Sequence, residues 1–370
     1  MNDHNQASIA YMIKQFISLI PQKDQEILNV LAARPKAHIW ILGAAGIGVA
    51  VKRCLEGKGF DIYSFCDNDE SKVGTVVDGI SVRSFVELCQ DDNRVVLVSV
   101  WKYFDEVSHQ CDAAGITFYD ATPLAGVVFD TTEESASFVS QNLQRISSIA
   151  KKLSDNTSTE IYLTAQIARL FRDRGTMRKY KGNTQYIEQD IAPIGSSELV
   201  FVCGAGNGSA AVNFAKLTDG NAVIHCFEPD QDNFQKLRDT ASHTPNLRCV
   251  PCGVGEKSGV LSFCGGMGDN STFSSPGEGF AQVTTIDDYA ETHGAIPSLI
   301  TMDIEGWEMA ALRGAQKIIA RHKPKLAVSL YHRASDFVEI PEFIFRLRSD
   351  YTIYIRHYTD SYSDTIAYFV

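Results

Sequence analysis

Positive charge is scarce in this sequence: 34 lysines and arginines stand against 45 acidic residues, a formal charge of -11, with no dense basic run. Binding to a phosphate backbone relies on clustered Lys and Arg, which argues against a nucleic-acid partner. Long apolar runs are missing too. The opening stretch, MNDHNQASIAYMIKQFISLIPQKDQEILNVL, is apolar at helical spacing but broken by Lys14, Gln15, Lys23 and Asp24. It reads as an amphipathic helical lead over 1–37, not as a signal peptide or membrane span. Cysteine is present but unorganised, with nine residues and no framework spacing. That excludes a disulfide scaffold and points to reduced thiols in the cytoplasm. The one Cys-x-x-Cys, Cys249 to Cys252, lacks a second pair of thiols or histidines at zinc spacing, so no metal is expected.

What is present is alternation of strands and helices, twice over. IWILGAAGIGVAV at 39–51 is a strand, a glycine turn and a helix, and further strands follow in DIYSFCDND, RVVLVSV and ITFYD. Such a succession predicts a small parallel sheet covered by helices, a Rossmann-type domain over 38–130. Residues 131–185 turn helical and polar, as in SFVSQNLQRISSIAKKLSDNTSTEIYLTAQIARLF, and read as a helical connector. The alternation restarts at LVFVCGAGNGSAAVNF, 199–214, and runs to YTIYIRHYT and TIAYFV, an antiparallel pair that closes the sheet. The fold class is therefore α/β, with a second, larger domain over 186–370.

Both glycine turns have the physics of a nucleotide site, because bare backbone can approach a ligand and the next helix offers free N–H groups. Gly43, Gly46 and Gly48 are followed by Asp67 at the end of the next strand; Gly204, Gly206 and Gly208 are followed by Glu228 at the same relative place. Either acid can accept hydrogen bonds from two ribose hydroxyls, and a structural turn remains the alternative.

From residue 185 onward the chain resembles the FkbM family of S-adenosylmethionine-dependent methyltransferases. The matching stretches are QYI at 185–187, CGAGNG at 203–208, FEPDQDNFQKL at 227–237, MDIEGWEMAALRGAQKII at 302–319, KPKLAVSLYHRASDFVEIP at 323–341 and YIRHYTDSYSDTIAYF at 354–369. The resemblance implies a class I methyltransferase fold with a seven-stranded mixed sheet and S-adenosylmethionine as cofactor. Gly204, Ala205, Gly206 and Gly208 would line its methionine part, Glu228 its ribose, Cys252 and Gly253 its adenine, and Asp303 the amine or reacting methyl. Through GAAGIG and FCDNDESKVG the first domain resembles the domain at the front of sugar acyltransferases.

Transfer to an oxygen requires the acceptor in line with the methyl group and a group to take its proton. The candidates are Asp303, Glu305, His332 and His357. In MDIEG, Asp303 and Glu305 share a face if the strand continues, since side chains two apart point the same way; alternatively Glu305 only orients the next helix. LYHR and IRHY set both histidines beside tyrosines at strand ends, where neutral imidazole serves near pH 7. Trp307, Tyr331 and Arg356 are candidates for holding a sugar, with core packing the alternative for the aromatics.

Three positions depart from the family pattern. Val202 and Ser209 stand where Asp is usual and Thr301 where Lys is usual. The reading that follows is an O-methyltransferase acting on a sugar hydroxyl in polysaccharide or natural-product biosynthesis, with a glycan, a sugar nucleotide or another small molecule as partner and a homo-oligomer admitted. A degenerate nucleotide-binding scaffold for glycan assembly is the alternative. A dehydrogenase built on the first loop ranks last, because no Tyr-x-x-x-Lys pair follows it.

Overall fold

The computed structural model describes residues 23–100, 103–125, 130, 132–195, 197–264, 272–273 and 279–370, and divides into two compact units that meet at 128/129. Residues 1–22 of the expected helical lead lie outside the described residues; Lys23–Ala33 is a helix. Among the described residues no helix is long and apolar enough to cross a membrane.

The first unit is built on β1 (His38–Leu42), β2 (Ile62–Cys66), β3 (Val76–Val77), β4 (Ile80–Arg83), β5 (Arg94–Val98) and β6 (Phe118–Asp120), in the order β3-β4-β2-β1-β5-β6. Helices cover both faces, and β1 shows why: Ile39 and Ile41 pack with Val51 and Leu55 of the helix Gly46–Glu56, while Trp40 and Leu42 pack with Val107 and Cys111 of the helix Phe104–Ala113. A strand buried on both sides reads as a continuous apolar run. The turn expected in KVGTVVDGI contains an extra hairpin, β3 antiparallel to β4. Asp78 and Gly79 both have positive φ, the conformation that a two-residue hairpin loop of Asp-Gly adopts.

The second unit holds a seven-stranded sheet of β7 (Leu199–Cys203), β8 (Val223–Phe227), β9 (Leu247–Val250), β14 (Leu299–Met302), β15 (Lys325–Ser329), β16 (Ile353–His357) and β17 (Thr365–Phe369). Its order is β16-β17-β15-β14-β7-β8-β9, and β17 is the antiparallel strand, paired to β15 and β16. This is the mixed seven-stranded sheet expected of the class. A smaller sheet, missed in the sequence, joins β10 (Gly253–Val254), β11 (Gly259–Cys264), β12 (Thr272–Phe273) and β13 (Gly279–Thr284).

The segment read as a connector belongs to the second unit. Its helix Asn156–Phe171 lies along β16: Ser158 Oγ accepts from the Ile355 amide at 2.9 Å, and Arg356 bonds Asp155 Oδ2 at 2.8 Å. Tyr162, fully buried, donates to the Phe337 carbonyl at 3.0 Å. Ile161, Tyr162, Ala165 and Ala168 are its buried apolar positions, whereas Leu163 and Ile167 are exposed.

Candidate active site

Parallel strands deliver their following loops to one edge of a sheet, and ligands collect there. Here that edge gathers the Gly204–Gly208 loop after β7, Glu228 after β8, Cys252 after β9, Asp303 after β14 and the pair Tyr331–His332 after β15.

The glycine loop is shaped by close approach. Gly204 has φ +79°, and a Cβ there would stand 1.9 Å from the Asp303 carbonyl oxygen, so only glycine lets the first loop touch the turn after β14. Glu228 is buried and oriented by two amides, Gly206 N at 2.7 Å and Asp230 N at 2.9 Å. It opens on a cavity of about 540 Å³ that Pro229, Pro251, Phe263 and Phe280 also line. Cys252 stands beside Gly253, which pairs with Val283, and burial pushes its thiol up to about 11. Ser209, exposed, bonds Asn207 Oδ1 through its amide and hydroxyl. In the first unit Asp67 repeats the arrangement of Glu228, accepting from Ala44 N at 2.8 Å and from Lys72 Nζ at 3.0 Å. Gly43 has φ +119°, and a Cβ on Gly48 would stand 1.9 Å from the Gly43 carbonyl oxygen, while Gly46 opens the helix that follows.

The opposite pole is acidic. β14 ends at Met302, so Asp303 and Glu305 do not share the face of a continuing strand; Glu305 sits in a left-handed turn with φ +53° and Gly306 follows at +85°. That turn still brings both carboxylates to one imidazole. His332 Nε2 lies 3.3 Å from Glu305 Oε2 and 3.6 Å from Asp303 Oδ1, and its Nδ1 lies 3.1 Å from Glu308 Oε1. Asp303 accepts from Tyr186 at 2.7 Å and from Tyr331 at 3.0 Å. Glu308 Oε1 also accepts from the Ile304 amide at 2.8 Å, so the turn-orienting role weighed for Glu305 falls to Glu308.

Burial raises Asp303, and pushes Glu305 up to about 7, against the pull of His332. For His332 burial favours the neutral form, but Glu308 and Glu305 outweigh it and raise the imidazole well above its ordinary value. Glu308 goes down despite burial, through the His332 charge and hydrogen bonds. Asp336, buried near Glu308, is pushed up to about 8, and Asp364, buried near Asp303, up to about 6.

Three candidates stand elsewhere. His357 is fully buried on β16, its Nδ1 3.0 Å from Thr365 Oγ1 across the hairpin. Arg356 is committed to Asp155 and Ser158. Trp307 packs against Phe263, Ala281 and Val283. The structure gives these three other partners, whereas Tyr331 joins the pole as a donor to Asp303. Sequence reasoning missed Glu308, one helical turn beyond Glu305 in DIEGWE, and Tyr186, which lies within the quoted QYI.

Arg169 supports the pole from behind. It is 2% exposed, bonds Asp130 Oδ2 at 2.9 Å and the His332 carbonyl at 3.0 Å, and also donates to the Tyr331 carbonyl.

Residues 203–353 match the family model of the methyltransferase FkbM domain. In fold the chain is similar to the methyltransferase FkbM from Methylobacillus flagellatus KT, at 23% identity and a TM-score of 0.66 over 99% of both chains. A lesser similarity, 10% identity and a TM-score of 0.32 over 47% of this chain and 66% of the other, is to Aeropyrum pernix fibrillarin in complex with S-adenosyl-L-methionine. No curated protein matches the sequence.

Proposed function

We propose, on the premise that the chain carries a methyltransferase FkbM domain over residues 203–353 and is an S-adenosylmethionine-dependent methyltransferase, that it methylates a hydroxyl oxygen of a sugar. The cofactor supplies a methyl group made electrophilic by its sulfonium. The residues fit that ligand: Glu228, held by the Gly206 amide of the glycine loop, borders with Pro229, Pro251 and Phe263 a cavity of about 540 Å³, within the range of 300–1,000 Å³ usual for such ligands.

The observation that carries the reading is the convergence of Asp303, Glu305 and His332 at the edge that also holds the glycine loop. There the carboxylates of Asp303 and Glu305 hold the acceptor hydroxyl and draw off its proton, while His332, anchored on Glu308, fixes both. A sugar acceptor is supported by the resemblance of the first unit to the front domain of sugar acyltransferases, and by the loop of Gly43, Gly46 and Gly48 with Asp67, which repeats the Gly206–Glu228 arrangement. A sugar nucleotide in the cytoplasm is the ligand proposed for that loop.

Calorimetric titration with S-adenosylmethionine tests the site. Binding in the micromolar range is expected, weakened about tenfold or more in Glu228→Ala, since a hydrogen bond to a charged group contributes roughly 1.5–3 kcal/mol. Absence of binding at about 1 mM cofactor would sink the reading. Release of S-adenosylhomocysteine with a panel of sugar nucleotides then tests the acceptor class.

A further inference from the structure

Asp303, Glu305 and Glu308 converge on one imidazole, with oxygens 3.6, 3.3 and 3.1 Å from the ring nitrogens of His332, and Glu308 and His332 are fully buried. Burying such polar groups is costly unless they are compensated.

We propose that Asp303 Oδ1, Glu305 Oε2 and His332 Nε2 ligate a divalent cation. The donor atoms of the three residues can lie within 4.8 Å of one another, and the imidazole nitrogen is 3.3 and 3.6 Å from the two oxygens. Six-coordinate bonds of about 2.1 Å set neighbouring donors roughly 3.0 Å apart and opposite ones roughly 4.2 Å apart, so small adjustments suffice. The second observation is the state of the imidazole. His332 is fully buried, with Nδ1 on Glu308 and Nε2 aimed between the two carboxylates. A metal-bound histidine is built this way, its other nitrogen donating to a carboxylate that fixes tautomer and ring plane. Glu308 is held in turn by the Ile304 amide, and Asp303 by Tyr186 and Tyr331. Glu305 is held in a left-handed backbone that a non-glycine residue adopts only when the surroundings impose it.

Two carboxylates and one imidazole suit Mn²⁺ and its neighbours better than Ca²⁺. Three protein donors leave positions for acceptor oxygens, and this part rests on the proposed acceptor side of the site. When bound, the cation would make an acceptor hydroxyl more acidic; the second oxygen of the Glu305 carboxylate would take its proton as the hydroxyl oxygen bonds the methyl carbon and the carbon–sulfur bond breaks, releasing S-adenosylhomocysteine.

The test uses the full chain, stripped with a chelator, dialysed and titrated with MnCl₂ alone, free Mn²⁺ being read by electron paramagnetic resonance. One ion per chain is expected, with a dissociation constant below about 100 μM. Glu308→Gln, which removes no ligand, weakens it about tenfold or more; Glu305→Gln removes a ligand and weakens it further, with circular dichroism confirming that both variants fold. Failure to bind stoichiometrically at about 1 mM Mn²⁺, or binding indifferent to both variants, overturns the proposal. Cofactor titration on the same preparations separates the two readings: manganese without cofactor binding leaves this site standing and removes the methyltransferase reading, and the reverse removes this site alone.

Discussion

Val202 on β7 and Thr301 on β14 are direct register partners on neighbouring parallel strands, each 2% exposed. In the family the sequence resembles, Asp and Lys are usual at these two places, so the two departures are one exchange. An acid and a base facing each other across buried strands are replaced by an apolar side chain and a hydroxyl. Such exchanges are often neutral in stability, whereas loss of one partner alone is not. Val202 packs with Val200 and Ile224 in the sheet core.

Val202→Asp alone is expected to cost about 3–5 kcal/mol, as an unpaired buried carboxylate does. Adding Thr301→Lys recovers at least half of that in urea denaturation. If the double variant is no more stable than the sum of the singles, the two positions are not coupled.

His357 is expected to be dispensable for methyl transfer but visible in the acid limb of stability. Burial holds its imidazole down to about 4, so it folds neutral. The unfolded chain binds a proton there near pH 6.5. Between those two values the unfolded state holds more protons, so the wild type loses stability as pH falls, by roughly 3 kcal/mol in all. His357→Gln flattens that slope while turnover at pH 7.5 stays within about twofold, because the imidazole bonds Thr365 across the β16–β17 hairpin rather than joining Asp303 and Glu305. A collapse of turnover in a folded variant would return His357 to the site.

Arg169 ties the helix Asn156–Phe171 to the carbonyls of Tyr331 and His332, hence to the groups that hold Asp303. Arg169→Met takes the guanidinium from the Asp130 carboxylate, which keeps the Ala334 amide, and from two carbonyls, and is expected to cost about 3–5 kcal/mol. Arg169→Lys recovers less than half, since a point ammonium does not reproduce a planar fork of donors. Stability within about 1 kcal/mol of wild type for Arg169→Met would show the guanidinium to be idle.

The legible part of this molecule was the part written in period and punctuation. Strands buried on both faces, such as β1 and β7, appear as short apolar runs, and the glycine loops follow them directly. The turn at Glu305 was not legible: MDIEG looks like a strand continuing, and the left-handed step before Gly306 depends on Glu308 capturing the Ile304 amide one helical turn later. Nor was the imidazole's third carboxylate, since Glu308 on its own reads as the first-turn acid that many helices carry. His332 and His357 share the same flanking chemistry in sequence. Topology separates them, one following β15 beside β14, the other on the edge strand β16 behind β17.

The Asp155–Arg356 pair gives a prediction that depends on sign. Asp155 caps the helix Asn156–Phe171 through the Ser158 amide and bonds Arg356 at 2.8 Å; against the burial that raises it, those partners hold its carboxyl down to about 2. A folded-state value below the unfolded one means that the stabilisation is complete above about pH 4 and is lost as pH falls toward 2. A third of the Asp155 side chain is exposed, so solvent screening keeps the ion pair's share to about 1 kcal/mol or less, beside about 1 kcal/mol for the cap. Asp155→Asn retains much of the cap and loses the charge, so at pH 7 it is expected to trail the wild type by about 1 kcal/mol, with the gap closing as the wild-type carboxylate protonates. Added salt narrows the same gap at neutral pH, and a gap that ignores both acid and salt would assign Asp155 to capping alone.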